Sequence, residues 1–106
     1  MSILTDELLD EALAHVPGWV FTNNGIVKQF VFVDFNETME VITKIATAAD
    51  EMNHHPEWSN VYNKLAIRLT THDSNGVTTK DIRLAHAIEK IIKEIPFKEP
   101  RKIENV

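Results

Sequence analysis

The segment WVFTNNGIVKQFVFVDFNETMEVITKIATAADEM, Trp19 to Met52, changes its period halfway, and that change decides the fold. Its first half contains two runs, WVFT and IVKQFVFVDF, rich in β-branched and aromatic side chains that suit a pleated, half-buried surface. Between them stands NNG, whose Asn-Gly pair supplies the positive φ angles that a tight turn requires. The first half therefore reads as a β-hairpin. From Glu37 to Met52 the apolar residues recur at Val41, Ile42, Ile45, Ala49 and Met52, a spacing that a helix gathers onto one face. Asn36 is the expected cap of that helix.

Working outward, Pro56 ends the helical regime, because its ring disfavours α geometry at His55 and pushes that residue into an extended conformation. The run NVYNKLAIRLT alternates, with Val61, Leu65, Ile67 and Leu69 on one side and Tyr62, Lys64, Arg68 and Thr70 on the other. This predicts sheet structure with one apolar face. DSNG then turns the chain, and Thr78 opens a last helix whose apolar stripe passes through Ile82, Ala85, Ile88, Ile92 and Ile95. On the other side of the hairpin, Thr5 is placed to cap a short helix with Asp6 and Glu7 in its first turn and Leu8, Leu9, Ala12 and Leu13 on one face. Residues 96–106, PFKEPRKIENV, carry two prolines and mixed charge and are expected to form a surface tail. The expected fold class is α+β: one domain over residues 1–106, a two-layer sandwich in which helices pack on one face of an antiparallel β-sheet.

A chain of 106 residues builds one ordinary core and has little room for a second. Its formal net charge is -5, with both signs interspersed, so no basic patch points to direct contact with nucleic acid. With no cysteine, thiol nucleophiles, disulfides and Cys-containing metal sites are excluded. The N-terminal residues MSILTDELLDEALAHV lack a basic leader, and no apolar run approaches the length of a bilayer span. The expectation is a soluble cytoplasmic protein without membrane contact.

Three of the five histidines gather where chemistry is usually built. His54 and His55 fall in the connection between a helix end and a strand, and His72 falls at or just past the next strand end. His15, before a Pro-Gly turn, and His86, in mid-helix, are expected to have no such role. Three histidines can hold catalytic zinc, but the helical i, i+4 pairing is absent. In extended backbone His54 and His55 also point to opposite sides. Acid-base work asks for less: two imidazoles that face one substrate from different directions suffice, since imidazole changes charge near neutral pH. His54 and His72 fit that need best. Asp81 closes the pattern TTKD, in which Thr78 and Asp81 exchange hydrogen bonds at a helix start, and a carboxylate so held can also orient an imidazole in the facing loop.

Taken together, Asp50, three residues, His54-His55-Pro56, five residues, Tyr62, nine residues, His72, eight residues and Asp81 form a pattern of fixed spacing. It resembles the full signature of the pterin-4a-carbinolamine dehydratase family, also called dimerization cofactor of hepatocyte nuclear factor. HHPEW, NVYNK and KQFVFVDFN extend the likeness over most of the chain. The resemblance implies a hydro-lyase that converts 4a-hydroxytetrahydropterin, the by-product of aromatic amino acid hydroxylases, to quinonoid dihydropterin and water during tetrahydrobiopterin recycling. It implies no metal and no separate cofactor, the pterin being the substrate, with a hydroxylase as a pathway partner. It carries the active-site histidines to His54, His55 and His72, and pterin-pocket positions to Asn53, Thr70, Thr71, Asp73 and Asp81. It also implies a homo-oligomer, commonly a tetramer built from dimers. An alternative comes with it, since some family members act as coactivators that bind a helical segment of a transcription factor. On that reading the chain is a protein-binding module with a vestigial pterin pocket.

Overall fold

A computed structural model of the protein describes residues 2–95, so the expected tail at 96–106 lies outside the described residues. The elements run α1 (Asp6–Ala14), β1 (Val20–Thr22), β2 (Gly25–Val31), α2 (Phe35–Met52), β3 (Glu57–Val61), β4 (Lys64–Leu69), a 3-10 turn (His72–Ser74) and α3 (Thr79–Glu94). The four strands form one sheet in the order β1-β2-β4-β3, every neighbouring pair antiparallel. This is the expected α+β arrangement.

Register explains why the helices cover one face only. Ile26 pairs with Leu69 and Phe30 with Leu65, and these residues are buried, as is Ile67 between them. They meet Val41, Ile45 and Ala49 of α2 and Leu84, Ala85 and Ile88 of α3 in a single apolar core. Burial of each of these side chains is worth about 1.5–3 kcal/mol for the larger ones. The alternate residues Val27, Gln29, Lys64, Ala66 and Arg68 lie on the opposite face, which no helix covers among the described residues.

Three local expectations need correction. The hairpin loop is Asn23-Asn24, with φ of 48° and 62°, and Gly25 already begins β2 opposite Thr22. Asn tolerates left-handed backbone, so the pair serves as a two-residue turn without the glycine. Gly25 has another use: a Cβ there would lie 3.0 Å from the Leu69 carbonyl and against the Arg68 guanidinium. Asp34, not Asn36, caps α2, its Oδ1 accepting the Glu37 N–H at 2.8 Å. The run NVYNKLAIRLT is the end of one strand and all of another, reversed at Tyr62-Asn63. Val61 therefore pairs with Lys64 and shares its outward face, which leaves Val61 70% exposed.

That reversal is held by two asparagines. Tyr62 takes φ 52°, uncommon for a bulky residue. Asn60 Nδ2 donates to the carbonyls of Tyr62 (3.0 Å) and Lys64 (2.9 Å), and the buried Asn63 Nδ2 donates to Phe32 O at 2.9 Å.

Candidate active site

The site is assembled from two helix ends. At the C-terminus of α2, Asn53 adopts left-handed backbone (φ 51°), and the His54 N–H bonds back to Ala49 O at 3.0 Å. This closure satisfies terminal carbonyls and turns the chain sharply. His54 is thereby carried to the start of α3, where its Nε2 lies 2.6 Å from Asp81 Oδ1. The imidazole is 11% exposed and the carboxylate fully buried.

At the N-terminus of α3, Thr78 and Asp81 form the expected reciprocal capping box. Asp81 Oδ2 accepts the Thr78 N–H at 2.9 Å and the Thr71 hydroxyl at 2.8 Å. Thr71 is buried at the end of β4, fixed by backbone pairing with Gly76 across the 3-10 turn. A buried carboxylate is costly unless its lone pairs are met, and here three donors meet them.

His55 and His72 have different partners. His55 Nε2 lies 3.1 Å from Asp50 Oδ1, and His72 Nε2 lies 3.2 Å from Glu57 Oε2, both at exposed positions. Glu57 in turn lies 3.5 Å from Arg68 Nε, its cross-strand partner. Arg68 also donates to the carbonyls of Thr22 (3.1 Å) and Asn23 (2.6 Å), and Thr70 donates to Asn24 O at 2.7 Å. The hairpin tip is thus tied to the strand that leads into Thr71 and His72.

Of the residues singled out in the sequence, the structure brings His54, Thr71 and Asp81 into one network. Asn53 and Asp73 are exposed beside it, on the helix end and the 3-10 turn. Thr70 commits its hydroxyl to the hairpin tip. Each histidine of the trio engages its own carboxylate, and among the described residues no group of three or more His, Asp or Glu side chains is arranged to hold a metal ion. His15 and His86 are exposed. Glu57 was not singled out by sequence reasoning, although the two-residue reversal at Tyr62-Asn63 pairs it with Arg68.

Two open hollows flank Trp58. One, of about 760 Å³, lies between α2 and β3 and is lined by Ala46, Ala49, Asp50, His55 and Pro56. The other, of about 610 Å³, lies on the uncovered face of the sheet, where Val27, Glu57, Ala66 and Arg68 contribute. His54 and His72 line neither, so hollow volume alone does not mark the histidine network.

Comparison with known proteins bears on what this network is for. Residues 2–91 match the family model described as pterin 4 alpha carbinolamine dehydratase. A Prochlorococcus marinus (strain NATL2A) protein named "Putative pterin-4-alpha-carbinolamine dehydratase" is 42% identical over 92 residues, covering 87% of this chain and 97% of its own. A protein of the same name from Paraburkholderia xenovorans (strain LB400) is 48% identical over 90 residues, covering 83% of this chain and 94% of its own. The crystal structure of a transcriptional coactivator/pterin dehydratase from Brucella melitensis superposes with a TM-score of 0.81 at 37% identity, over 84% of this chain and 97% of that one. With matches of this extent in sequence and in fold, the chain belongs to the pterin 4 alpha carbinolamine dehydratase family.

Proposed function

We propose that the chain is a hydro-lyase that removes water from a 4a-hydroxytetrahydropterin, giving quinonoid dihydropterin for tetrahydrobiopterin recycling, by histidine acid-base catalysis. Family membership supports the dehydratase class. The observation that carries the histidine chemistry is the contact of 2.6 Å between His54 and the buried Asp81. A carboxylate that holds one ring nitrogen fixes the ring and leaves the other nitrogen for proton transfer.

The reaction asks little of the protein. The lone pair of the ring nitrogen beside the carbinol carbon forms a C=N bond while the C–O bond breaks. One imidazole protonates the departing hydroxyl, which leaves as water, and another accepts the proton of that nitrogen. His54 and His72 take these two roles, and His55, ahead of Pro56, holds the pterin ring. Asn53 and Asp73, exposed next to the network, are proposed pterin contacts. Thr70 and Thr71 act from behind the pocket, since their hydroxyl protons are committed to Asn24 O and Asp81. The chain is proposed to act without a metal or separate cofactor, and as a homo-oligomer.

The test is dehydration of enzymatically generated 4a-hydroxytetrahydropterin, with His54→Ala beside the parent. Loss of turnover in the folded variant supports the assignment; parental turnover sinks it. A second reading, a coactivator-like protein-binding module, is favoured by the name of the Brucella protein. A parent without dehydratase activity that retains a partner in pull-downs from host extract would favour it.

A further inference from the structure

Glu57 stands where the two segments that carry the three histidines come together. It follows Pro56 directly, at the end of the connection that carries His54 and His55, and it opens β3. Its Oε2 lies 3.2 Å from Nε2 of His72, on the 3-10 turn beyond β4. Its other oxygen, Oε1, lies 3.5 Å from Nε of Arg68, the residue opposite it in register on β4. Both Nη groups of Arg68 donate to backbone carbonyls, of Thr22 and Asn23, so the hairpin tip fixes the far side of the guanidinium. The carboxylate thus spans a fastened cation and an imidazole, one oxygen to each.

A carboxylate only accepts, so the proton shared across the His72 contact sits on Nε2, and Nδ1 is the nitrogen without a proton in the neutral ring. Unlike His54, which is packed against the α3 cap, His72 is exposed, and burial does little to limit its rotamers. Among the described residues Glu57 is the acidic side chain paired with it. We propose that Glu57 is a positioning residue for the reaction: it holds the imidazole of His72 in one orientation, with Nε2 turned to β3 and Nδ1 left to exchange a proton with the pterin. Arg68 aligns the carboxylate for this task. Glu57 touches no substrate in this account and acts through His72 alone. The catalytic part of the inference rests on the proposed role of His72, whereas the ordering of the ring does not.

An exposed ion pair adds little to stability, because ordering two long side chains costs entropy. Here the sheet lowers that cost. Glu57 and Arg68 are cross-strand neighbours, and the arginine is already ordered by its two carbonyl bonds. His72 therefore meets a carboxylate that is in place before the imidazole arrives. Because neither Glu57 nor His72 belongs to the core, removing the pair leaves the fold intact, and an effect on the reaction is readable apart from stability.

The test compares Glu57→Gln with the parent, alone and in a His72→Ala background. The glutamine keeps the shape, but its amide offers a donor as well as an acceptor and no charge for Arg68, so it no longer dictates the ring orientation. Three-bond couplings about the Cα–Cβ bond of His72 report its rotamer, with His54 as the internal reference. In the parent they should show one rotamer. In Glu57→Gln they should average while those of His54 stay parental, and kcat should fall about fivefold, the size of one exposed charged contact, with KM nearly unchanged. In the His72→Ala background Glu57→Gln should lower kcat no further, since the two residues act as a unit. If Glu57→Gln does not fold by circular dichroism, Glu57→Ala is read in the same way. Averaged couplings in the parent, unaveraged ones in the folded variant, or a second loss of kcat in the His72→Ala background each overturn the proposal. Parental turnover in His72→Ala sinks the acid-base role of His72 and this proposal with it. Loss of turnover there with parental kcat in Glu57→Gln sinks this proposal only.

Discussion

The imidazole of His54 and the carboxylate of Asp81 meet at 2.6 Å across 27 positions of sequence, joining the end of α2 to the start of α3. One carboxylate therefore serves two purposes: it completes the cap of a helix and it holds an imidazole of the candidate site. Stability and chemistry are coupled at this residue, whereas the exposed pairs His55–Asp50 and His72–Glu57 can be broken with little effect on folding.

Asp81→Ala is accordingly expected to destabilise the fold. It strips the acceptor from the Thr78 N–H, the Thr71 hydroxyl and His54 Nε2 inside the protein. The expected cost is about 3 kcal/mol, the usual size for leaving buried donors unpaired. Urea denaturation checks it, with Asp50→Ala, at an exposed pair, expected to stay within about 0.5 kcal/mol of the parent.

The helix caps give a second comparison. Asp34 accepts the Glu37 N–H at 2.8 Å, whereas Asn36 lies within the first turn of α2 and is exposed. Asp34→Ala should lower stability by about 1 kcal/mol, and Asn36→Ala by a few tenths at most, roughly. Equal losses in thermal or urea melts would contradict the observed cap.

Much of the fold is legible because burial imposes a period. Ile26, Phe30, Leu65, Ile67 and Leu69 alternate in strands, and Val41, Ile45 and Ala49 recur at helical spacing, so the two layers follow from pattern. The misplaced details are those in which tertiary contacts override local chemistry. Tyr62 is a poor turn former, and only the bonds of Asn60 and Asn63 reveal the reversal that turns Val61 outward. The loop at Asn23-Asn24 is pinned by Arg68 and Thr70 from another strand, which a local turn rule cannot register. At the candidate site, fixed spacings mark the histidines and Asp81, but the pairing of each imidazole with its own carboxylate exists only once the chain is folded.

Metal removal should have no effect. The three imidazoles are turned toward three different carboxylates, an arrangement suited to proton transfer more than to a shared ion. Dialysis against a strong chelator is expected to leave dehydration rates unchanged. Loss of activity that zinc restores would replace the acid-base proposal with a metal-dependent one.

Self-association is expected from the open edge of the sheet. Among the described residues strand β3 pairs only with β4, and it presents Trp58, 37% exposed, and Val61, 70% exposed. An unpaired strand edge with apolar side chains invites a partner. Light scattering at micromolar concentration should report more than one subunit, and a monomer mass at every concentration would count against it.

The last prediction separates the three histidines by kinetics. His54 is held nearly out of solvent by a buried carboxylate, while His55 and His72 are 60% and 74% exposed with surface partners. If His54 and His72 carry the two proton transfers, His54→Ala and His72→Ala should each lower kcat by roughly 10²-fold or more, the usual size of a lost general acid or base. His55→Ala should act mainly on KM, since a side chain that only holds the ring contributes equally before and during the reaction. The double variant His54→Ala, His72→Ala should be little worse than the poorer single one, because groups that act as a unit are not additive. Far-ultraviolet dichroism should stay parental for His55→Ala and His72→Ala, while His54→Ala should also lose stability, because it leaves Asp81 Oδ1 without its donor. Near-parental turnover in folded His54→Ala and His72→Ala would place the proton transfers elsewhere, with Glu57 and Asp50 the next groups to replace.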